Sequence, residues 1–246
     1  MCWSFEASVA TACVGLGGSV YLAVKKAPLA LSVTLGFYAA MELLQAFNYR
    51  VIDQCGNPYN EVFTVVSYFH ILLQPFVMSF YSLHFLPDFL RKKVQVPVYI
   101  LCFIAFFVFT LKLYPFSWAG VCVPGYEPLC GQPLCSYSGK IHIAWKLPLN
   151  QILSNPIDFI TTKGPHGIYF LIHFFYFVLP LIYGSWRIAF ASYALGPFLV
   201  RFISYDPNES PAIWCTLGIG MLIVFSIPSL RKHFYVKSWY GWKPRV

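Results

Sequence analysis

Seven stretches of this chain are apolar and long enough to cross about 30 Å of hydrocarbon as helices: roughly 7–24, 28–48, 62–85, 97–115, 166–185, 187–204 and 211–230. Nothing constrains a fold more. Inside lipid a segment must satisfy its own backbone hydrogen bonds, so the predicted fold class is all-α, a seven-transmembrane-helix bundle forming one membrane domain over residues 1–246. Composition agrees, with 58% hydrophobic and only 11% charged residues, where a soluble domain carries about 25% charged. The sixth stretch is the weakest, bracketed by Arg187 and Arg201 and interrupted by Pro197, and Pro180 and Pro228 are expected to kink the fifth and seventh.

An odd number of crossings places the termini on opposite sides, and charge decides which is which. Lys25, Lys26, Arg91, Lys92, Lys93, Arg187, Arg231, Lys232, Lys237, Lys243 and Arg245 fall on one side, whereas Asp88 alone of the acidic residues does so. The Lys/Arg bias makes that side cytoplasmic, with the N-terminus outside and the C-terminus inside. The formal charge of +8 is therefore a topology signal, not a nucleic-acid footprint. The start Met1-Cys2-Trp3-Ser4 lacks a basic n-region, so the first span is expected to act as its own uncleaved insertion signal. The expected location is a multi-pass position in the plasma membrane or an endomembrane, with external or lumenal loops.

The cysteines fit this orientation. Cys55, Cys122, Cys130 and Cys135 lie in external loops, Cys2 and Cys215 near the external surface, and Cys13 and Cys102 within spans. An oxidising compartment lets the four loop cysteines pair in any of three connectivities. Three of them sit in the long external insertion 116–165, a length that points to structure or function of its own. Within it, Lys140 to Pro148 alternates, with Ile141, Ile143, Trp145 and Leu147 on one face and Lys140, His142, Ala144 and Lys146 on the other, the pattern of a short strand lying over the bundle. Residues 150–160 read as an interfacial or re-entrant helix limited by Pro156. In the first span, Gly15 and Ser19 form a small-xxx-small face for close helix packing. The tail after Val236 mixes aromatic and basic residues suited to an anionic leaflet.

Function is sought where polarity interrupts lipid-compatible sequence. Glu42 is a carboxylate in an apolar run, costly in hydrocarbon unless it faces a cavity or a partner. Ser67, His70 and Gln74 share one face of the third span, and His166, Tyr169, His173 and Tyr176 one face of the fifth. At 1.5 Å per residue, Glu42, His70 and His173 each lie roughly 8–10 Å below the outer end of their spans. His142 in the covering strand is placed to meet them. One carboxylate and three imidazoles form a ligand set suited to zinc or non-haem iron. Glu42, His70, His142 and His173 are thus the predicted metal ligands, and Glu42, His70 and Ser67 the predicted catalytic residues. Gln45, Gln74 or a tyrosine would support them. The plain alternative for each histidine is a helix-to-helix hydrogen bond.

The start Met1-Cys2-Trp3-Ser4, the external Asp53-Gln54-Cys55-Gly56, His142-Ile143-Ala144-Trp145 and Pro211-Ala212-Ile213-Trp214-Cys215 together resemble an uncharacterised family of small polytopic membrane proteins, over nearly the whole chain. That resemblance implies a fold and no activity. In helix count and topology the chain is also similar to seven-span metal hydrolases typified by alkaline ceramidases, which use a serine, an aspartate and three histidines. Here Ser67 and His70 are spaced differently and the last span holds no histidine.

The expectation is a membrane-embedded metal-dependent enzyme, hydrolase or oxidoreductase, acting on a lipid or other apolar small molecule in the outer third of the bundle. A proton-coupled transporter or channel is the second reading, with Glu42 and the histidines as a relay, and it asks for polar residues that continue toward the inner face. A structural subunit of a membrane complex is the third.

Overall fold

A computed structural model describes residues 3–125, 127–152 and 173–237. Four helices in it are long and apolar enough to cross a membrane: α1 (Phe5–Val24), α2 (Leu29–Tyr49), α3 (Pro58–Leu83) and α4 (Asp88–Leu111). The chain is a multi-pass integral membrane protein. Local signals set the helix starts. Ser4 Oγ accepts the Ala7 N–H at the head of α1, and Asn57 accepts the Tyr59 N–H at the head of α3, where Pro58 takes the first helical position.

The small face of α1 works as expected. A methyl group on Gly15 would stand 2.6 Å from Ala39 Cβ, and one on Gly36 would stand 2.9 Å from Ser19 Oγ, so the α1 and α2 backbones touch where these residues meet. Ser19 adds a hydrogen bond to the Ser32 carbonyl at 2.8 Å.

The expected start of the fourth span is corrected. Helix α4 begins at Asp88, nine residues before Pro97, which sits inside the helix. The segment Leu90-Arg91-Lys92-Lys93 has helix-forming side chains and turns outside the apolar part of α4, so its charges stay clear of hydrocarbon while the backbone is already helical.

The rest of the helical chain is shorter and broken. A π-helical turn (Phe174–Val178) runs into α5 (Leu179–Tyr183), where Pro180 lacks the N–H that the Tyr176 carbonyl would accept. Then follow α6 (Trp186–Tyr193), a second π turn (Ala194–Phe198) and α7 (Leu199–Ile203). Gly196 leaves helical geometry at φ −104° and ψ −106°, immediately before Pro197. Helix α8 (Ser210–Ser226) stops four residues short of the expected boundary because Ile227 turns extended ahead of Pro228, which opens the short α9 (Pro228–Arg231). The start of the expected fifth span, with His166 and Tyr169, and nearly all of the expected helix 150–160 lie outside the described residues, as does the tail beyond residue 237.

The segment after α4 folds into a lobe over one end of the bundle. Strands β1 (Cys135–Ser138) and β2 (Ile143–Lys146) pair antiparallel, Cys135 opposite Lys146. The predicted strand is present but shorter. Its two faces are both covered, since His142 and Ala144 are as buried as Ile143 and Trp145: one side meets the helices and the other meets the lobe.

Disulfides Cys55–Cys135 and Cys122–Cys130 select one of the three connectivities. The first staples β1 to the α2–α3 turn, where Asn60 donates to the Val51 and Ser136 carbonyls and accepts the Ser136 N–H. On the opposite flank Lys112 and Glu127 form a fully buried ion pair at 2.6 Å, and Asn150 caps the end of α4 through the Leu111 and Tyr114 carbonyls.

Residues assigned to the two sides of the membrane gather at the two ends of the bundle. Trp3, Asp53, Asn208 and Glu209 bond the lobe. At the far end Arg187 donates to the His233 and Tyr235 carbonyls, and Val236 N–H reaches Phe85 O.

Candidate functional site

Helix α2 carries Tyr38, Glu42 and Gln45 at helical spacing on one face, all fully buried. Helix α8 supplies Cys215 and Thr216 opposite them, and the turn between β1 and β2 lowers His142 from the lobe. Glu209 holds that turn in place: its carboxylate accepts the Ile141 N–H at 2.5 Å, the His142 N–H and the Ser204 hydroxyl at 2.6 Å. A side chain at position 139 would collide with both the His142 carbonyl and this carboxylate, so Gly139 is required where the chain passes.

Three hydrogen bonds set the proton arrangement. The Ile143 N–H donates to His142 Nδ1 at 2.8 Å, so that nitrogen is an acceptor and the proton sits on Nε2. Nε2 then faces Thr216 Oγ1 at 3.3 Å, and the Thr216 hydroxyl donates to Glu42 Oε1. Tyr49 adds its hydroxyl at 3.2 Å from Nδ1, and Trp3 stacks on the imidazole with centroids 5.1 Å apart while donating to Ser8 Oγ. Burial pushes the His142 imidazole down to about 3, in keeping with a neutral ring. Glu42 Oε2 is buried with no partner, and among the described residues no lysine or arginine pairs with this carboxyl.

A second chain of bonds runs beside this layer. Tyr38 and Tyr176 share a hydrogen bond at 2.9 Å, Tyr176 donates to Gln74 Oε1 at 2.6 Å, and Gln74 Nε2 reaches Cys215 Sγ at 3.3 Å, next to Thr216. Between the level where Asn48 and Thr64 meet Ser136 and the level where Tyr38 and Gln74 meet Tyr176, the antiparallel register of α2 and α3 sets Gln45 opposite Ser67. Both amide atoms of Gln45 and the Ser67 hydroxyl are buried without partners among the described residues. Buried polar atoms in that state call for water, an ion or a chemical role. Lower still, Ser79 lies against Cys102, Ser82 meets Tyr183 at 2.5 Å, and Ser185 donates to the Ser82 carbonyl at 2.6 Å.

A cavity of about 380 Å³ opens beside this column, walled by Ile71, Val200 and Trp214, with Gln74, His173 and Arg201 among its polar groups. Gln74 belongs to both the cavity and the bonded chain.

Of the predicted ligands, the structure brings Glu42 and His142 to either side of Thr216 and leaves the other two elsewhere. His70 stacks on Phe37 at 3.9 Å and places Nε2 2.9 Å from the Phe37 carbonyl. His173 faces the cavity. Among the described residues no group of three or more His, Cys, Asp or Glu could hold a metal ion, and both nitrogens of His142 are already engaged. Ser67 shares the level of Gln45, not of a bonded nucleophile and base. Cys215 is buried near the lobe end of α8. Sequence reasoning missed Thr216, Trp3 and Glu209. A lone threonine in an apolar helix was the available signal for the first, and Glu209 had none beyond being an acidic residue ahead of a span.

Residues 6–235 match the family described as "Family of unknown function (DUF5765)", and the chain belongs to it. No curated protein and no solved structure matches the chain.

Proposed function

We propose that this protein is a proton-coupled membrane transporter in which Glu42 takes up and releases the proton and the cavity at Gln74, Trp214 and Arg201 receives a small, largely apolar solute. One observation carries the reading: Gln74 lines the cavity and bonds Cys215 Sγ, the residue next to Thr216 in α8, whose hydroxyl donates to Glu42. A solute that draws on the Gln74 amide therefore pulls on α8 one residue from the threonine that holds the Glu42 carboxyl. The reading is supported by Ser79, Ser82 and Tyr183 toward the end away from the lobe, separated from the Gln74 level by the buried Met78. Five residues from Gln74 to Ser79 correspond to about 7–8 Å along α3, a gap that two waters bridge.

The topology proposed with this function has seven crossings, N-terminus outside and C-terminus inside. It is supported by the gathering of the acidic and disulfide-bonded loops at the lobe end, and of Arg187 with residues 233–236 at the other. The metal-dependent enzyme has no ligand set to support it among the described residues. A one-sided acid–base pair of Glu42 and His142 is the catalytic form that the contacts leave open.

The two readings separate in oriented proteoliposomes, with the carboxylic-acid infrared band followed as pH is changed on one side at a time. The transporter predicts a band that Glu42→Gln removes and that responds to pH on either side. A band that responds only from the lobe side, or that survives Glu42→Gln, overturns it. Thr216→Val, which deletes the Thr216 bond to the carboxyl but not the carboxyl itself, shifts the midpoint of that titration if Glu42 is the group observed.

A further inference from the structure

A second cavity, of about 280 Å³, lies at the opposite end of the molecule from the lobe. Helix α4 gives it Arg91, Gln95 and Tyr99, at i, i+4 and i+8 and so on one face. His84 enters from the end of α3, and Leu29 and Ala30 from the first turn of α2. Phe80 and Leu83 supply apolar wall. We propose that this cavity binds the phosphate group of an anionic lipid drawn from the surrounding leaflet.

The polar groups here are donors or cations. Arg231 and Arg91 both stand close enough to act on the His84 imidazole through their charge, and Lys25 and Lys26 lie in the turn that leads into α2. Arg91 is half-buried and uses Nη2 on Asp88 at 2.6 Å. That is an exposed i, i+3 pair of the kind worth well under about 1 kcal/mol, and it leaves the other edge of the guanidinium for the bidentate contact that phosphate accepts.

Tyr235 meets His84 Nε2 at 2.7 Å, and with the phenol as donor the imidazole proton sits on Nδ1 as a further donor. Pro28 precedes α2 and offers no side-chain oxygen to its first turn, so the Leu29 and Ala30 N–H groups have no cap of that kind. The positive end of a 21-residue helix thus borders the same cavity. An apolar substrate fits poorly among these groups, and a free cation is repelled by them. The remaining feature selects lipid as the source: Leu29 is 66% exposed on the outer side of the cavity, and it continues into the apolar flank of α2 along which an acyl chain lies.

The test uses the full chain reconstituted with equal amounts of phosphatidylcholine and phosphatidic acid, purified in detergent, with the retained lipid counted by mass spectrometry. The wild type is expected to retain phosphatidic acid about stoichiometrically, and Arg91→Gln to lower its affinity about tenfold with an unchanged thermal midpoint, the loss expected of one charge-assisted contact. Arg91→Lys, which keeps the charge and loses the fork, is expected to fall between them. Inorganic phosphate added as competitor distinguishes the source of the group: displacement of the lipid at low concentration assigns the site to free phosphate, and resistance assigns it to the lipid with its chains. Equal retention of the two lipids by the wild type, or full retention of phosphatidic acid by Arg91→Gln, overturns the proposal.

Discussion

The two halves of the chain solve the same physical problem differently. Residues 5–111 form four unbroken helices, locked at one end by a lobe that two disulfides, a buried ion pair and the Asn60 contacts hold in place. Residues 173–237 form helices of four to seventeen residues, interrupted by two π turns, Gly196 and the prolines. Backbone irregularity at membrane depth is tolerated where it is buried in protein or lines a cavity, and the larger cavity is walled by Pro197, Val200 and Arg201 from the broken stretch. The first half is therefore a regular frame, and the second is the irregular part that walls the cavity.

Four measurements sharpen or break that contrast. Removing the frame's principal staple with Cys55→Ser and Cys135→Ser together should have the largest effect, a loss of about 2–5 kcal/mol seen as a lower thermal midpoint. An unchanged midpoint would show that the lobe is not what fixes α2 and α3. Next comes Asn60→Ala, which takes the acceptor from the buried Ser136 N–H and one of two donors from each of the Val51 and Ser136 carbonyls, which keep the Gln54 and Asp53 N–H groups. A loss of roughly 1–3 kcal/mol follows from orphaning that donor.

The third measurement is a pH series. The folded His142 titrates at about 3, below the free value of 6.5, because burial disfavours its charged form. The unfolded chain therefore takes up a proton that the folded chain refuses. The full contribution of His142 to stability is present above pH 6.5 and declines as pH falls toward 3, by at most roughly 1.4 kcal/mol per unit. His142→Gln should flatten that slope. The smallest effect belongs to the broken half: Pro197→Ala restores an N–H within a turn that already departs from α geometry, and should alter stability by no more than about 1 kcal/mol. A cooperative loss of fold on that substitution would make the second half part of the frame.

Much of this arrangement is legible in the residues, and the failures have physical causes. Hydropathy located α1 to α3 because twenty consecutive apolar residues have few other uses, and the alternation after Lys140 located β2. It missed the start of α4, since charged helical turns beyond the lipid carry no apolar signal. Depth along a helix correctly put Glu42 within reach of His142. It could not say which way each side chain faces around its axis, and His70, at the same depth, turns to the Phe37 carbonyl instead. Thr216 escaped notice because one hydroxyl in an apolar helix usually bonds its own preceding turn, as its 3.4 Å approach to the Ala212 carbonyl also allows. The pairing of the four loop cysteines was open until the fold placed Cys55 beside Cys135.

That cross-link has a topological consequence. Joining positions 80 residues apart, it makes a covalent ring of everything between them, with α3, α4 and most of the lobe on its circumference. A protease that cuts once within the ring opens it without releasing a fragment. The nicked molecule keeps its mass under non-reducing conditions and separates into two pieces only when a thiol is added.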